Sequence, residues 1–149
     1  MAGNMAFSIN FVALNALFKE ALGEDNQKQR LIDAGTMLVS EARGRCGTDK
    51  YQLRPSIHIV EPGQTDSSWN VTDSEGTTFD NSTGQTAKDN EALVVARTHR
   101  GPGTTARDRG DYALYHNSKG RSPSFYMTLA ANKVRGAFPD LDISEPRPI

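Results

Sequence analysis

Three histidines, His58, His99 and His116, and a run of carboxylates at Asp66, Asp73, Glu75, Asp80, Asp89 and Glu91 are the groups in this chain best suited to moving protons or binding metal. Acid/base catalysis needs two such groups held rigidly in environments that separate their pKa values, and a zinc site needs Cys or His at ligand spacing. The histidines are widely separated and none has a Cys or a second His beside it, so solvated strand histidines are expected, with His58 and His116 able to meet only across a sheet. The carboxylates fall in a stretch rich in Thr, Ser, Asp, Asn and Gly, which reads as a solvated acidic loop or one that docks on a basic neighbour, with Asp66, Asp73, Glu75 and Asp80 as its contact residues. The sequence contains no G-x-S-x-G elbow, no G-x-x-x-x-G-K-[ST] phosphate loop and no H-E-x-x-H helix. No catalytic, cofactor or metal residue is therefore assigned.

A second constellation is basic. Arg97, Arg100, Arg107 and Arg109 surround the turn formers Gly101, Pro102 and Gly103, an exposed setting that suits guanidinium contacts to phosphate or to a neighbour's carboxylates. Between positions 97 and 109 four Arg stand against one Asp, a charge of +3, whereas between 66 and 91 six acids stand against Lys88, a charge of −5. Opposite charge in two long loops predicts docking, either between copies of the chain or within one.

The rest of the chain must position these loops. Its 149 residues suit one domain, with residues 63–110 as a long polar hairpin or loop insertion and 139–149 as an extended tail. A net charge of −1 gives no global attraction to nucleic acid or anionic membrane, and 36 % hydrophobic residues imply a modest core. A single cysteine, Cys46, excludes an intramolecular disulfide. No signal peptide or membrane span is expected, so the tripeptides at Asn70 and Asn81 that match a glycosylation signal, and Arg109-Gly-Asp111, read as chance matches.

Phe11, Leu14, Phe18, Ala21 and Leu22 recur at helical spacing and predict a short helix over 9–22. A second helix, capped by Asp25 or Asn26 and ending near residues 44–47, places Leu31, Ala34, Leu38 and Ala42 in one stripe. Ile57 and Ile59 alternate with His58 and Val60, a strand stopped by Pro62 and Gly63. Residues 64–90 predict a loose hairpin, 91–98 a strand buried on both faces, and 111–116 another short strand. Ser122 and Pro123 open a last helix with Tyr126, Met127, Ala130 and Val134 on its apolar side, and the tail from Pro139 is extended.

Two segments carry a family resemblance. The first is Ala34-Gly-Thr-Met-Leu-Val-Ser-Glu-Ala-Arg43, then Thr48, then Leu53-Arg-Pro-Ser-Ile57; the second is Tyr112-Ala-Leu-Tyr115, Gly120, and Pro123-Ser-Phe-Tyr-Met127, ending in Leu129-Ala130. They resemble the neck or tail-completion proteins of long-tailed bacteriophages, with their helix ending in Ala-Arg, Leu-Arg-x-Ser-Ile strand start, Tyr-Ala strand and Pro-x-Phe helix entry. The chain departs from that pattern at Cys46-Gly47, where a proline is commoner, and at His116-Asn117, where a glutamate usually follows.

The resemblance implies an α+β protomer, a small antiparallel sheet packed with two N-terminal helices and one C-terminal helix, bearing long loops or hairpin arms. It implies a catalytically inactive subunit that forms a sixfold ring around the DNA channel of the virion, assembled in the host bacterial cytoplasm. Its partners would be further copies of itself, the head connector or head-closure protein, and the tail terminator or tail tube protein. Arg97, Arg100, Arg107 and Arg109 would line the channel, touching packaged DNA without sequence preference, or bond a neighbour. A tail terminator ring is the near alternative; a cytoplasmic binding module using the acidic stretch, and a small hydrolase using His58 or His116, are the others.

Overall fold

The computed structural model describes residues 5–12, 20–46, 53–72, 76, 78–80, 82–96, 126–145 and 147–148. Its first element follows from alternation: Met5, Phe7, Ile9 and Phe11 are separated by Ala6, Ser8 and Asn10, a period of two that places the large side chains on one face. Met5–Phe11 is accordingly strand β1. This corrects the helix expected over 9–22, which takes a helical path only at 20–22 among its described residues. Phe11 fits both a helix read forward and a strand read backward, and pairing on both edges of β1 decides for the strand.

Helix α1, Glu24–Arg45, carries the expected stripe, with Leu31, Ala34, Leu38 and Ala42 buried. Its N-cap is Gly23 at φ 79°, with no side-chain cap, in place of the expected Asp25 or Asn26; the Asn26 side chain instead donates to the Leu22 carbonyl. Glu24 and Asp25 in the first turn and Arg43 and Arg45 in the last oppose the partial charges of the helix ends. A short helical turn, α2 (Leu53–Ser56), leads into strand β2, His58–Val60. Asn70–Thr72 (β3) and Thr78–Asp80 (β4) pair as a hairpin, and Ala92–Ala96 forms β5, buried throughout. Helix α3, Tyr126–Ala137, precedes Leu141–Ile143 (β6) and Arg147–Pro148 (β7).

The main sheet runs β2-β5-β1-β6, with β7 beside β6 on the same edge of β1. All its pairings are antiparallel; β5 runs along one edge of β1 from Met5↔Ala96 to Ile9↔Ala92. The fold is α+β, a small antiparallel sheet with helices packed on it, as expected. The tail is extended, but it closes the edge of its own sheet: the Ser144 N–H donates to the Ser8 carbonyl, the Ser144 hydroxyl accepts from the Ser8 N–H, and Arg135 reaches the carbonyls of Ile143 and Ser144.

Two clusters explain why β5 is buried on both sides. On one face Phe7, Ile9, Ala92 and Val94 meet Leu31 and Leu38 of α1 and Tyr126, Met127 and Val134 of α3. On the other, Leu93 and Val95 meet Ala6, Val60 and Ala87. Fully burying each large aliphatic or aromatic side chain contributes about 1.5–3 kcal/mol before conformational entropy is counted. Ala87 belongs to the polar stretch, so one foot of the arm covers the second face.

Among the described residues no helix is long and apolar enough to cross a membrane.

Candidate functional site

The arm leaves the sheet after β2 and returns before β5. Its root is a short ladder in which Asp66 N–H donates to the Gln85 carbonyl, Gly84 N–H to the Asp66 carbonyl and Ala87 N–H to the Gln64 carbonyl, at 2.8, 3.0 and 2.9 Å. Gly63 makes the turn at φ 78°, where a Cβ would lie 2.8 Å from Asp89 Oδ1. Beyond the root, β3 and β4 pair only with each other among the described residues, and Asn70, Thr72, Thr78 and Asp80 are exposed.

Alternation along β2 sends Ile57 toward the helices and His58 and Val60 to the opposite face. His58 therefore sits under the arm root, where its side chain is 3 % exposed and that of Asp66 4 %. Its Nε2 lies 2.8 Å from Asp66 Oδ1, and its Nδ1 lies 2.6 Å from the Ser56 carbonyl oxygen. The Trp69 ring stacks on the imidazole at 4.3 Å and within 5° of parallel, and its indole N–H donates to the Pro55 carbonyl at 2.9 Å. Asp66 Oδ2 accepts from the Thr83 N–H at 2.6 Å and the Thr83 hydroxyl at 2.7 Å. Burial pushes the Asp66 carboxyl up, but the hydrogen bonds from His58 and Thr83 outweigh it and hold the group below its ordinary value.

Two expectations are corrected here. His58 is a buried, doubly bonded ring rather than a solvated strand histidine, and Asp66 is a partner of its own chain rather than a free docking carboxylate. In this arrangement both ring nitrogens of His58 and both oxygens of Asp66 are engaged, so neither presents an open atom to a substrate. An open groove of about 380 Å³ runs beside β2, with His58, Glu61, Gln64, Ser67 and Trp69 in its wall. Among the described residues no three His, Cys, Asp or Glu side chains gather at metal-binding distance.

Asp80 is exposed on β4 and accepts from the Ser82 N–H and hydroxyl at 2.9 and 2.7 Å. Asp73, Glu75, Arg97, Arg100, Arg107 and Arg109, together with His99, His116 and the strand expected at 111–116, lie outside the described residues.

Three arginines to which the sequence assigned no contact fasten the fold. Arg43 donates to the Ile57 carbonyl from Nε and Nη2, Arg54 to the Cys46 carbonyl, and Arg30 makes a two-pronged bond to Asp140 while lying 4.7 Å over the Phe138 ring. Helical position alone marks Arg30 and Arg43 as surface residues, and their acceptors are backbone carbonyls or lie 110 residues away, so no local pattern announces them.

Comparison with known proteins adds no relative: no family model, no curated protein and no solved structure matches this chain.

Proposed function

We propose that this chain is a structural subunit of the bacteriophage head–tail junction, a neck or tail-completion protein that forms a ring around the DNA channel. The observation that carries the reading is the Arg43–Ile57 contact. The Ala-Arg helix end and the Leu-Arg-x-Ser-Ile run, which folds as the turn α2 and the residue before β2 rather than as a strand start, bond each other directly through the Arg43 guanidinium and the Ile57 carbonyl. The residues on which the resemblance rests thus lie together at one structural joint, which supports the reading. The second segment supports it through Tyr126, Met127 and Ala130, buried in the same core as Ala34, Leu38 and Ala42 of the first.

In this reading the protomer works as a rigid wedge. The two-layer core gives it shape, and the β3–β4 hairpin, which among the described residues shares no pairing with the main sheet, offers a surface for a neighbouring copy. A sixfold ring would place the head connector or head-closure protein on one side and the tail terminator or tail tube on the other. Arg97, Arg100, Arg107 and Arg109 would face the packaged DNA or a neighbouring subunit. The subunit is assembled in the host bacterial cytoplasm and ends in the virion, with no catalytic step and no cofactor.

Removing the gene from the phage that carries it tests this reading. Filled heads and finished tails that stay unjoined in the lysate are expected. Normal joined particles would overturn it, and tubes of unregulated length would favour the terminator variant.

A further inference from the structure

We propose that the outer edge of β2 pairs with the same edge of a second copy of this chain, antiparallel and about a two-fold axis through Ile59, joining the two main sheets into one. The contact uses a different surface from the β3–β4 hairpin and stands or falls independently of the ring.

Hydrogen-bond parity decides which backbone groups of β2 face outward. The Ser8 carbonyl accepts from the Ser144 N–H and the Val12 N–H donates to the Asp140 carbonyl, so the even-numbered residues of β1 point toward β6 and the odd-numbered ones toward β5. The register then directs Ala92, Val94 and Ala96 of β5 to β1, and Leu93 and Val95 to β2, where they stand opposite Val60 and His58. Ile59 lies between those two, so its N–H and C=O point away from the sheet. In the order β2-β5-β1-β6 the strand is terminal, and an open groove of about 380 Å³ runs beside it. An edge of this kind is a template for another strand.

Charge selects the occupant. At the start of β2 the Arg43 guanidinium holds the Ile57 carbonyl through Nε and Nη2, and among the described residues no carboxylate pairs with it. At the other end Glu61 is exposed, and its carboxylate bonds no described residue. In an antiparallel pairing centred on Ile59, position 57 of one copy stands opposite position 61 of the other, because both lie two residues from the centre. Glu61 also has the parity of Ile57 and Ile59, the strand positions on the side of α1, which carries Arg43. Each guanidinium therefore meets the carboxylate of the other copy, in two equivalent ion pairs. A parallel alignment would instead set like charges together. The part of Ile59 that the helices leave uncovered meets its counterpart across the axis, an apolar cross-strand pair. The edge is thus complementary to itself, as a two-fold contact requires.

Sedimentation of the full chain and isotope-filtered NMR test the contact. Wild-type chains are expected to associate in pairs. Glu61→Lys turns both ion pairs into repulsions and should weaken that association by about tenfold or more, with the melting temperature unchanged. In a mixture of labelled and unlabelled chain, the Hα of His58 in one copy should contact the Hα of Val60 in the other, the close pair of this register. A monomer at every concentration, an assembly that Glu61→Lys leaves unchanged, or absence of the Hα contact would overturn the proposal. Rings that persist in Glu61→Lys without that contact would keep the ring and remove the edge pairing. Pairs that never close into rings would keep the edge pairing and count against the ring.

Discussion

The Arg43 guanidinium donates to the Ile57 carbonyl twice, at 3.0 Å from Nε and 2.7 Å from Nη2, fastening the last turn of α1 to the entry of β2. Ile57 is fully buried, so Arg43→Ala would leave its carbonyl without that donor. A loss of about 1–3 kcal/mol is expected from such an orphaned acceptor. Arg43→Lys, which cannot reproduce the two-pronged geometry, should fall between the two. Urea melts of the three proteins measure this order.

Arg30 and Asp140 join α1 to the turn before β6 by a two-pronged bond with a closest distance of 2.6 Å. The hydrogen bond from Arg30 holds the Asp140 carboxyl below its ordinary value. The stabilisation is therefore present above the unfolded carboxylate pKa, about 3.9, and is lost as pH falls through the lower folded value. Asp66 obeys the same sign. Because Arg30 is about one-third exposed (35 %), solvent screens the pair and Asp140→Asn should cost only about 0.5–1 kcal/mol near neutrality. Thermal melts between neutral and acid pH should show shallower acid loss in Asp140→Asn and in Asp66→Asn than in the wild type.

Gly35 sits in α1 where β2 comes closest. A Cβ there would overlap Ile59 Cδ1 and lie 3.0 Å from Ile59 Cγ1, with Ile9 Cδ1 behind at 3.8 Å. Gly35→Ala gains up to about 1 kcal/mol of helix propensity but overpacks the interface, at a cost of about 1–3 kcal/mol. Net destabilisation is expected. Ile59→Val removes the overlapping Cδ1, so the double variant should be more stable than additivity allows by about 0.5 kcal/mol or more, measured in a double-mutant cycle.

Where the signal was periodic, the sequence carried the fold. The stripe of Leu31, Ala34, Leu38 and Ala42, the alternation from Ile57 to Val60 and the apolar run in β5 all stand where expected, because each buries a face at the period of its own element. Phe11 misled because it belongs to two patterns at once, and only pairing with β5 and β6 settles which applies. His58 and Asp66 were invisible as a pair. They are eight residues apart across a turn, and nothing in a polar run distinguishes a carboxylate that folds back under a strand from one that faces water.

The arginine loop yields a prediction of the functional proposal. If Arg97, Arg100, Arg107 and Arg109 face DNA, the assembled protein should bind duplex DNA without sequence preference and lose affinity steeply with salt, as phosphate contacts release counterions. Reversing all four charges should then impair assembly or genome retention. Variant particles that keep both would remove the loop from the mechanism.

The ring is the central claim, and direct imaging tests it. Purified chain should be measured by light scattering and viewed by negative-stain microscopy, alone and mixed with head connectors and tail tubes. A particle several protomers in mass, ring-shaped with a central hole, alone or seated on a connector, is the expected result. A chain that stays monomeric alone and with both partners would contradict the account.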